Sequence, residues 1–313
     1  MKVLVTGAFG FVGQWVVRRA LERGFEVRAL SRSERRLVQG EAVRADLRDE
    51  RSVLRAVVGC DAVVHLAVPA YLSDDGTAVL LESMKKSGVG RLVLVSSLSV
   101  YDYVRLAVGA TLDERSPLES RPERRDEYCR VKLAQEATAR AAGLDLSVLR
   151  PGAIIGPGRL WTARLGRRLG PLTVVLGGQS KVPVCYVAHV ADAIVSALGR
   201  PGAVGATLNL VDDALPTQNQ YLSVLRQVRM IGAARVGIPR AGLLAAASVG
   251  RAMLGERVRL PNVLSAESLE ARIKPLDYSN EQARNLLSWR PTYGWEEAVR
   301  RSVRPASDPG VAA

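Results

Sequence analysis

Apolar residues fall in short blocks along the first half of the chain, and their period changes from block to block. Lys2–Val5 is an apolar run closed by Thr6-Gly7, which predicts a buried strand. From Phe11 to Arg23 the apolar positions Val12, Val16, Val17, Ala20 and Leu21 recur at helical spacing, and Gly24 stops the helix. Glu26–Leu30 is a second strand, so the opening of the chain predicts one βαβ unit. A further strand starts at Ala42. The alternation then continues with a strand at Asp61–Ala67, a helix at Ala78–Lys86, a strand at Arg91–Ser96, a helix at Glu127–Ala142 and a strand at Leu146–Leu149. Strands that are apolar almost throughout, each followed by a helix, predict an α/β fold: a doubly wound parallel sheet with helices on both faces. After Arg150-Pro151-Gly152 the pattern loosens, with Gly156-Pro157-Gly158, Gly170-Pro171 and Gly177-Gly178 as punctuation. This predicts a smaller C-terminal region packed on the sheet.

Composition narrows the classes. The 313 residues suffice for one large α/β unit or two joined domains. Aromatics make up only 5%, so the core must be aliphatic. Lys and Arg outnumber Asp and Glu by 44 to 31, a formal charge of +13 that favours phosphorylated cofactors or substrates. Nucleic acid is not expected: the arginines are scattered, and the densest stretch, Arg121–Arg130, is broken by Glu123, Asp126 and Glu127, with no aromatic platform between. Three cysteines (Cys60, Cys129, Cys185) form no CxxC pair, which fits a reducing compartment and predicts no metal site. The first strand begins at residue 2, leaving no room for a signal peptide, and Ala241–Gly250 is too short to span a bilayer; a cytoplasmic location is expected.

The glycines between the first strand and first helix, in Thr6-Gly7-Ala8-Phe9-Gly10-Phe11-Val12-Gly13, have separate uses. One allows the tight turn, one lets the backbone approach a pyrophosphate, and one lets the helix pack close to the sheet. The helix N-terminus then offers free N–H groups to phosphates. The spacing resembles the T-G-x-x-G-x-x-G of the extended short-chain dehydrogenase/reductase group, the NAD-dependent epimerase/dehydratase family, and the resemblance extends over nearly the whole chain. It implies a Rossmann-type fold and a nicotinamide cofactor on Thr6, Gly7, Phe9, Gly10, Phe11, Val12 and Gly13. The implied division is a nucleotide-binding domain over 1–155, with 185–212 returning to it, a substrate-binding region over 156–184 and 213–304, and a disordered tail over 305–313.

The end of the second strand selects the cofactor. An acidic residue there binds a ribose 2′-hydroxyl and repels a 2′-phosphate. This chain has Ser31-Arg32-Ser33, which favours NADP over NAD, although Glu34 keeps NAD in play. Asp46-Leu47 resembles the family's Asp-Leu pair at the adenine. His65-Leu66-Ala67 resembles its His-Leu-Ala motif, with Leu66 and Ala67 beside the cofactor and His65 structural. Pro151, Gly152 and Ile154, in the loop after the sixth strand, are expected near the nicotinamide.

Tyr128 and Lys132 stand at i and i+4, on one helix face. A phenol is a weak base at neutral pH, and a neighbouring ammonium favours its ionised form. Ser96-Ser97-Leu98-Ser99-Val100-Tyr101 resembles the family's S-[ST]-x-x-V-Y, with Ser97 as the hydroxyl that holds the substrate oxygen. Ser97, Tyr128 and Lys132 are therefore the implied catalytic residues. Val187–Ala193 resembles V-x-D-V-A-x-A with His189 in place of the aspartate. Trp289-Arg290-Pro291 with Trp295–Ala298 resembles the family's C-terminal motif.

Two departures matter. The usual N-x-x-G-T reads Ser73-Asp74-Asp75-Gly76-Thr77, without the asparagine. Leu98 and Ser99 stand where sugar-nucleotide dehydratases of the family carry Asp-Glu, which argues against dehydration. Three functions remain: an NADP(H)-dependent oxidoreductase acting at a carbonyl or alcohol carbon of a small molecule, a nucleotide-sugar epimerase, and a non-catalytic NADP-sensing regulator. For the epimerase, Arg159, Arg164, Arg167 and Arg168 either meet a diphosphate or form a solvated helix face. A homodimer is compatible with all three.

Overall fold

The computed structural model describes residues 1–68, 76–170, 172–232, 234–245 and 265–303. The expected tail at 305–313 and the altered segment Ser73–Asp75 lie outside them. Among the described residues the main sheet has seven strands, β1 (Lys2–Thr6), β2 (Glu26–Ser31), β3 (Glu41–Arg44), β4 (Ala62–His65), β5 (Arg91–Val95), β7 (Asp145–Pro151) and β12 (Thr207–Leu210). The spatial order is β12-β7-β5-β4-β1-β2-β3, and every pairing is parallel. The strand sequence reverses direction between β1 and β4. That is the switch point where a crevice opens at the carboxyl ends of the strands.

Alternation along the strands builds two cores. Val3, Val5, Ala62, Val64, Val93 and Val95 pack on one face with Val16, Val17 and Ala20 of α1 (Phe11–Glu22) and Val190 and Ile194 of α5 (Val187–Leu198). Leu4, Val63, Leu92, Leu94 and Val148 face the other way. They meet Val53 of α2 (Glu50–Val57), Leu80 and Met84 of α3 (Thr77–Lys86) and Ala139 of α4 (Glu127–Ala141). Each Val, Leu, Ile or Met among them contributes about 1.5–3 kcal/mol by leaving water, and branched residues suit a sheet covered on both faces. The three cysteines are buried and free.

After β7 the chain forms smaller sheets. β8 (Ala153–Ile155) pairs with β11 (Val184–Tyr186), and β6 (Thr111–Leu112) with β14 (Asp277–Tyr278). β10 (Leu172–Leu176) lies between β9 (Gly166–Leu169) and β13 (Arg235–Ile238). A further apolar cluster gathers Leu160, Leu165 and Val184 with Tyr221 and Leu222 of α6 (Gln218–Gln227) and Val299 of the helix Trp295–Val303. No helix among the described residues is long and apolar enough to cross a membrane.

Candidate active site

The crevice at the ends of β1 and β4 is held by Thr6. Its hydroxyl accepts hydrogen bonds from the Leu66 N–H (3.2 Å) and the Ala67 N–H (3.3 Å) and lies 2.7 Å from His65 Nδ1. The chain then turns at Gly7, whose φ of +68° suits glycine, and the Gly10 N–H closes the turn onto the Gly7 carbonyl at 3.0 Å. Gly13 lets α1 press on this turn: a Cβ there would strike the Gly7 carbonyl oxygen and lie 2.6 Å from the Ala8 carbonyl atoms. Phe9, Gly10, Phe11, Val12 and Gly13 all line a cavity of about 950 Å³. The first turn of α1 carries no acidic residue, and its N–H groups lack intrahelical acceptors. Such a cradle fits a pyrophosphate, and the cavity volume suits a dinucleotide with a small substrate.

One end of the cavity is lined by Ser31, Arg32, Asp46, Leu47 and Arg48, and Leu66 and Ala67 line its floor. Ser31 Oγ accepts from the Ser33 N–H at 3.3 Å. Asp46 accepts from the Arg48 guanidinium at 2.8 Å; this bond and one from the Arg48 N–H hold its carboxyl down at about 2. Glu34 is exposed and does not line the cavity. Arg48 escaped sequence reasoning, although its place two residues after Asp46 was a usable signal.

Ser97, Tyr128 and Lys132 line the same cavity beyond the cradle. Asp126 starts α4 by accepting from the Cys129 N–H at 3.0 Å. In the first turn Tyr128 is 42% exposed, and one turn further Lys132 is buried. The Lys132 ammonium donates to the Val95 carbonyl (2.9 Å) and to Gln135 Oε1 (2.8 Å). Ser97 caps the short turn Leu98–Val100, its hydroxyl accepting from the Ser99 N–H at 3.1 Å. Desolvation in the cleft raises the Tyr128 pKa, while the Ser97 hydroxyl and the Arg159 charge pull it back down.

Gln135 is a residue the motifs did not single out. Its carboxamide nitrogen donates to the Ala67 carbonyl and to Thr77 Oγ1, both at 3.2 Å. Thr77 Oγ1 in turn lies 3.1 Å from His65 Nε2. A buried polar chain therefore runs from Lys132 through Gln135, Thr77 and His65 to Thr6, joining the candidate catalytic lysine to the cradle. Glutamine at i+3 from a lysine is an ordinary helix neighbour, so only the fold reveals this role. Substituting Gln135 with Met removes its bonds to Lys132, Thr77 and the Ala67 carbonyl, and breaking such a buried set costs about 1–3 kcal/mol. The expected result is a loss of unfolding free energy of that order in urea titration. An unchanged midpoint and slope would contradict it.

Pro151, Gly152, Ile154, Arg159 and Arg164 line the other end of the cavity, with Trp161 and Arg272. Arg167 and Arg168 do not line it, and the stretch is not a helix face. Ala163–Leu165 is a single 3-10 turn and β9 follows. Gly166, at φ +116°, turns the chain against the Val174 carbonyl, where no side chain fits. His189 is a structural residue: its Nδ1 lies 3.0 Å from Asp212 Oδ1, and its Nε2 accepts from the Thr292 N–H at 3.2 Å. Trp289 Nε1 donates to the His189 carbonyl at 2.8 Å, so these residues dock the C-terminal motif rather than meet a ligand.

Known proteins resemble this chain in sequence and in fold. Residues 3–210 match the family model described as the NAD dependent epimerase/dehydratase family. The chain is 30% identical to a 2-alkyl-3-oxoalkanoate reductase of Stenotrophomonas maltophilia, over 96% of this chain and 98% of that one. It is also 30% identical to a 3-diazoavenalumate denitrifying reductase of a Streptomyces species, over 96% of this chain and 100% of that one. Among solved structures, a short-chain dehydrogenase/reductase superfamily protein from Agrobacterium tumefaciens with bound NAD superimposes at a TM-score of 0.73. It is 21% identical, over 97% of this chain and 96% of that one, and shares the fold. With the glycine cradle and parallel sheet described above, these matches establish that the chain belongs to the NAD-dependent epimerase/dehydratase family and is an enzyme of its extended short-chain dehydrogenase/reductase type.

Proposed function

We propose that the protein is an NADP(H)-dependent oxidoreductase that interconverts a carbonyl and an alcohol on a small molecule. The observation that carries this reading is the lining of one cavity by the glycine cradle, Arg32, Ser97, Tyr128 and Lys132. A bound nicotinamide supplies or accepts the hydride. Gly7 and Phe9–Gly13 would hold its pyrophosphate at the first turn of α1, with Thr6 buried behind them bracing the crevice, and Pro151, Gly152 and Ile154 would lie towards its reacting end. Ser97 donates a hydrogen bond to the substrate oxygen and stabilises charge that develops there. In the reducing direction Tyr128 gives its proton to that oxygen, and in the oxidising direction it takes one back. The raised pKa keeps the proton on the phenol across neutral pH, which suits the acid role. The positive charge of Lys132 favours the phenolate left after transfer.

The reading of NADP rests on Arg32 and Arg48 lining the cavity at the end of β2, with Asp46 already bonded to Arg48. Arg32→Ala weakens NADP binding roughly tenfold, about 1.5 kcal/mol, the value of one hydrogen bond to a charged group. NAD binding stays unchanged. Thermal shift with both cofactors checks this; greater stabilisation of the parent chain by NAD would overturn the cofactor assignment. Cofactor stoichiometry separates the reductase from the epimerase, since a reductase consumes NADPH in proportion to product.

A further inference from the structure

The Lys132 ammonium is a compact charge on a flexible stem, so its position must be set from outside. It lines the cavity and is 2% exposed. Two acceptors hold it: the Val95 carbonyl at the end of β5 (2.9 Å) and Gln135 Oε1 (2.8 Å). The first is backbone of a strand paired on both sides, and is rigid for that reason. The second is a side chain, and it can fix the lysine only if something fixes it in turn.

Gln135 is fully buried, and both halves of its carboxamide are committed. The nitrogen donates to the Ala67 carbonyl and to Thr77 Oγ1, both at 3.2 Å. A flipped amide would set N–H groups against an ammonium and an oxygen against a carbonyl, donor on donor and acceptor on acceptor. The partners therefore fix which way the group faces. Ala67 is gripped from the other side as well. Its N–H donates to the Thr6 hydroxyl at 3.3 Å, and a Cβ on Gly7 would lie 3.1 Å from its nitrogen. Ala67 thus stands clamped between the glycine cradle and Gln135, and it lines the cavity floor. A single carboxamide refers the position of Lys132 to that floor.

We propose that Gln135 is a positioning residue for the reaction, acting through Lys132 by holding its ammonium at one place above the cavity floor during hydride transfer. The inference rests on the oxidoreductase reading for what Lys132 does, and it adds a residue that touches neither substrate nor reacting atoms. Gln135 does not line the cavity, so any effect it has on turnover passes through its neighbours. Such effects are large when they move a reacting group: a displacement of about 1 Å can cost about 10²-fold in rate. A glutamine that merely filled the core would change stability and leave the chemistry of the folded chain alone.

The test is a double-substitution cycle on the full chain, assayed well below the melting temperatures with NADPH and the carbonyl probes methyl 3-oxooctanoate, 4-nitrobenzaldehyde and cyclohexanone. Gln135→Met should lower kcat roughly ten- to a hundredfold, with KM for the probe nearly unchanged. In a Lys132→Met background the same substitution should leave kcat nearly unchanged, because no ammonium remains to be placed. Thr77→Val withdraws one support of the carboxamide while Gln135 and Lys132 stay, so it should lower kcat less, again only where Lys132 is present; it serves also if Gln135→Met does not fold. A second readout needs no turnover. In protein grown with isotopically labelled lysine, the Lys132 ammonium should give a slowly exchanging NMR signal, absent from Lys132→Met and broadened by water exchange in Gln135→Met or Thr77→Val. Parental kcat in these variants, an equal loss with and without Lys132, or an unaltered ammonium signal overturns the positioning role. An ammonium signal that depends on Gln135 in a chain that oxidises no NADPH with any probe upholds the hold on Lys132 and overturns the oxidoreductase reading instead.

Discussion

Replacing Tyr128 with Phe lowers kcat/KM for carbonyl reduction by roughly 10²–10⁴-fold, the usual contribution of a positioned general acid. The substitution removes one oxygen and keeps the ring. Tyr128 is 42% exposed in the cleft, and α4 is anchored elsewhere, by the Asp126 cap and by Lys132. NADPH binding and thermal stability should therefore stay near those of the parent. Turnover followed by NADPH absorbance, with cofactor affinity from fluorescence, separates the two quantities. A variant that keeps parental turnover would show that Tyr128 is not the proton donor.

The second large effect is expected at Gly13. Adding one methyl by Gly13→Ala places a Cβ against the Gly7 carbonyl oxygen and 2.6 Å from the Ala8 carbonyl atoms. These are backbone atoms of the tight turn, so no side chain can swing away to make room. Either α1 lifts from the turn or the turn opens; overpacking of this kind costs about 1–3 kcal/mol, occasionally more. Both responses displace the first-turn N–H groups. The expected result is a lower melting temperature and loss of NADP binding at concentrations that saturate the parent. Gly10→Ala is the control for packing, because a Cβ there meets only the Gly7 carbonyl oxygen at 3.2 Å. Equal melting temperatures for the two alanine variants would mean that close helix packing at Gly13 does not hold the turn.

The contrast between what could be read from the chain and what could not follows the range of the interactions. The cradle was legible because its glycines, its strand and its helix are contiguous, and their uses are local. The i, i+4 placement of Tyr128 and Lys132 was legible for the same reason. The two-faced core needed only the alternation of Val, Leu and Ala along short strands. The substrate end was not legible. Arg164 and Arg272 are far apart in sequence, and they meet only because the helix Ala266–Ile273 packs against the 3-10 turn after β8. The arginines of 159–168 lie close together in sequence, yet Gly166 turns the chain into β9, and Arg167 and Arg168 do not line the cavity. Gln135 was invisible because its partners, the Ala67 carbonyl and Thr77, come from other elements.

The bond from Lys132 to the Val95 carbonyl gives that lysine a second duty as a staple between α4 and the end of β5. Tyr128, half open to the cleft, has no comparable duty in holding the chain together. A descendant of this protein that abandons chemistry is therefore free to lose the tyrosine long before the lysine. In a gene survey, a retained lysine would testify to ancestry, and the phenol one turn before it would be the better witness to a living enzyme.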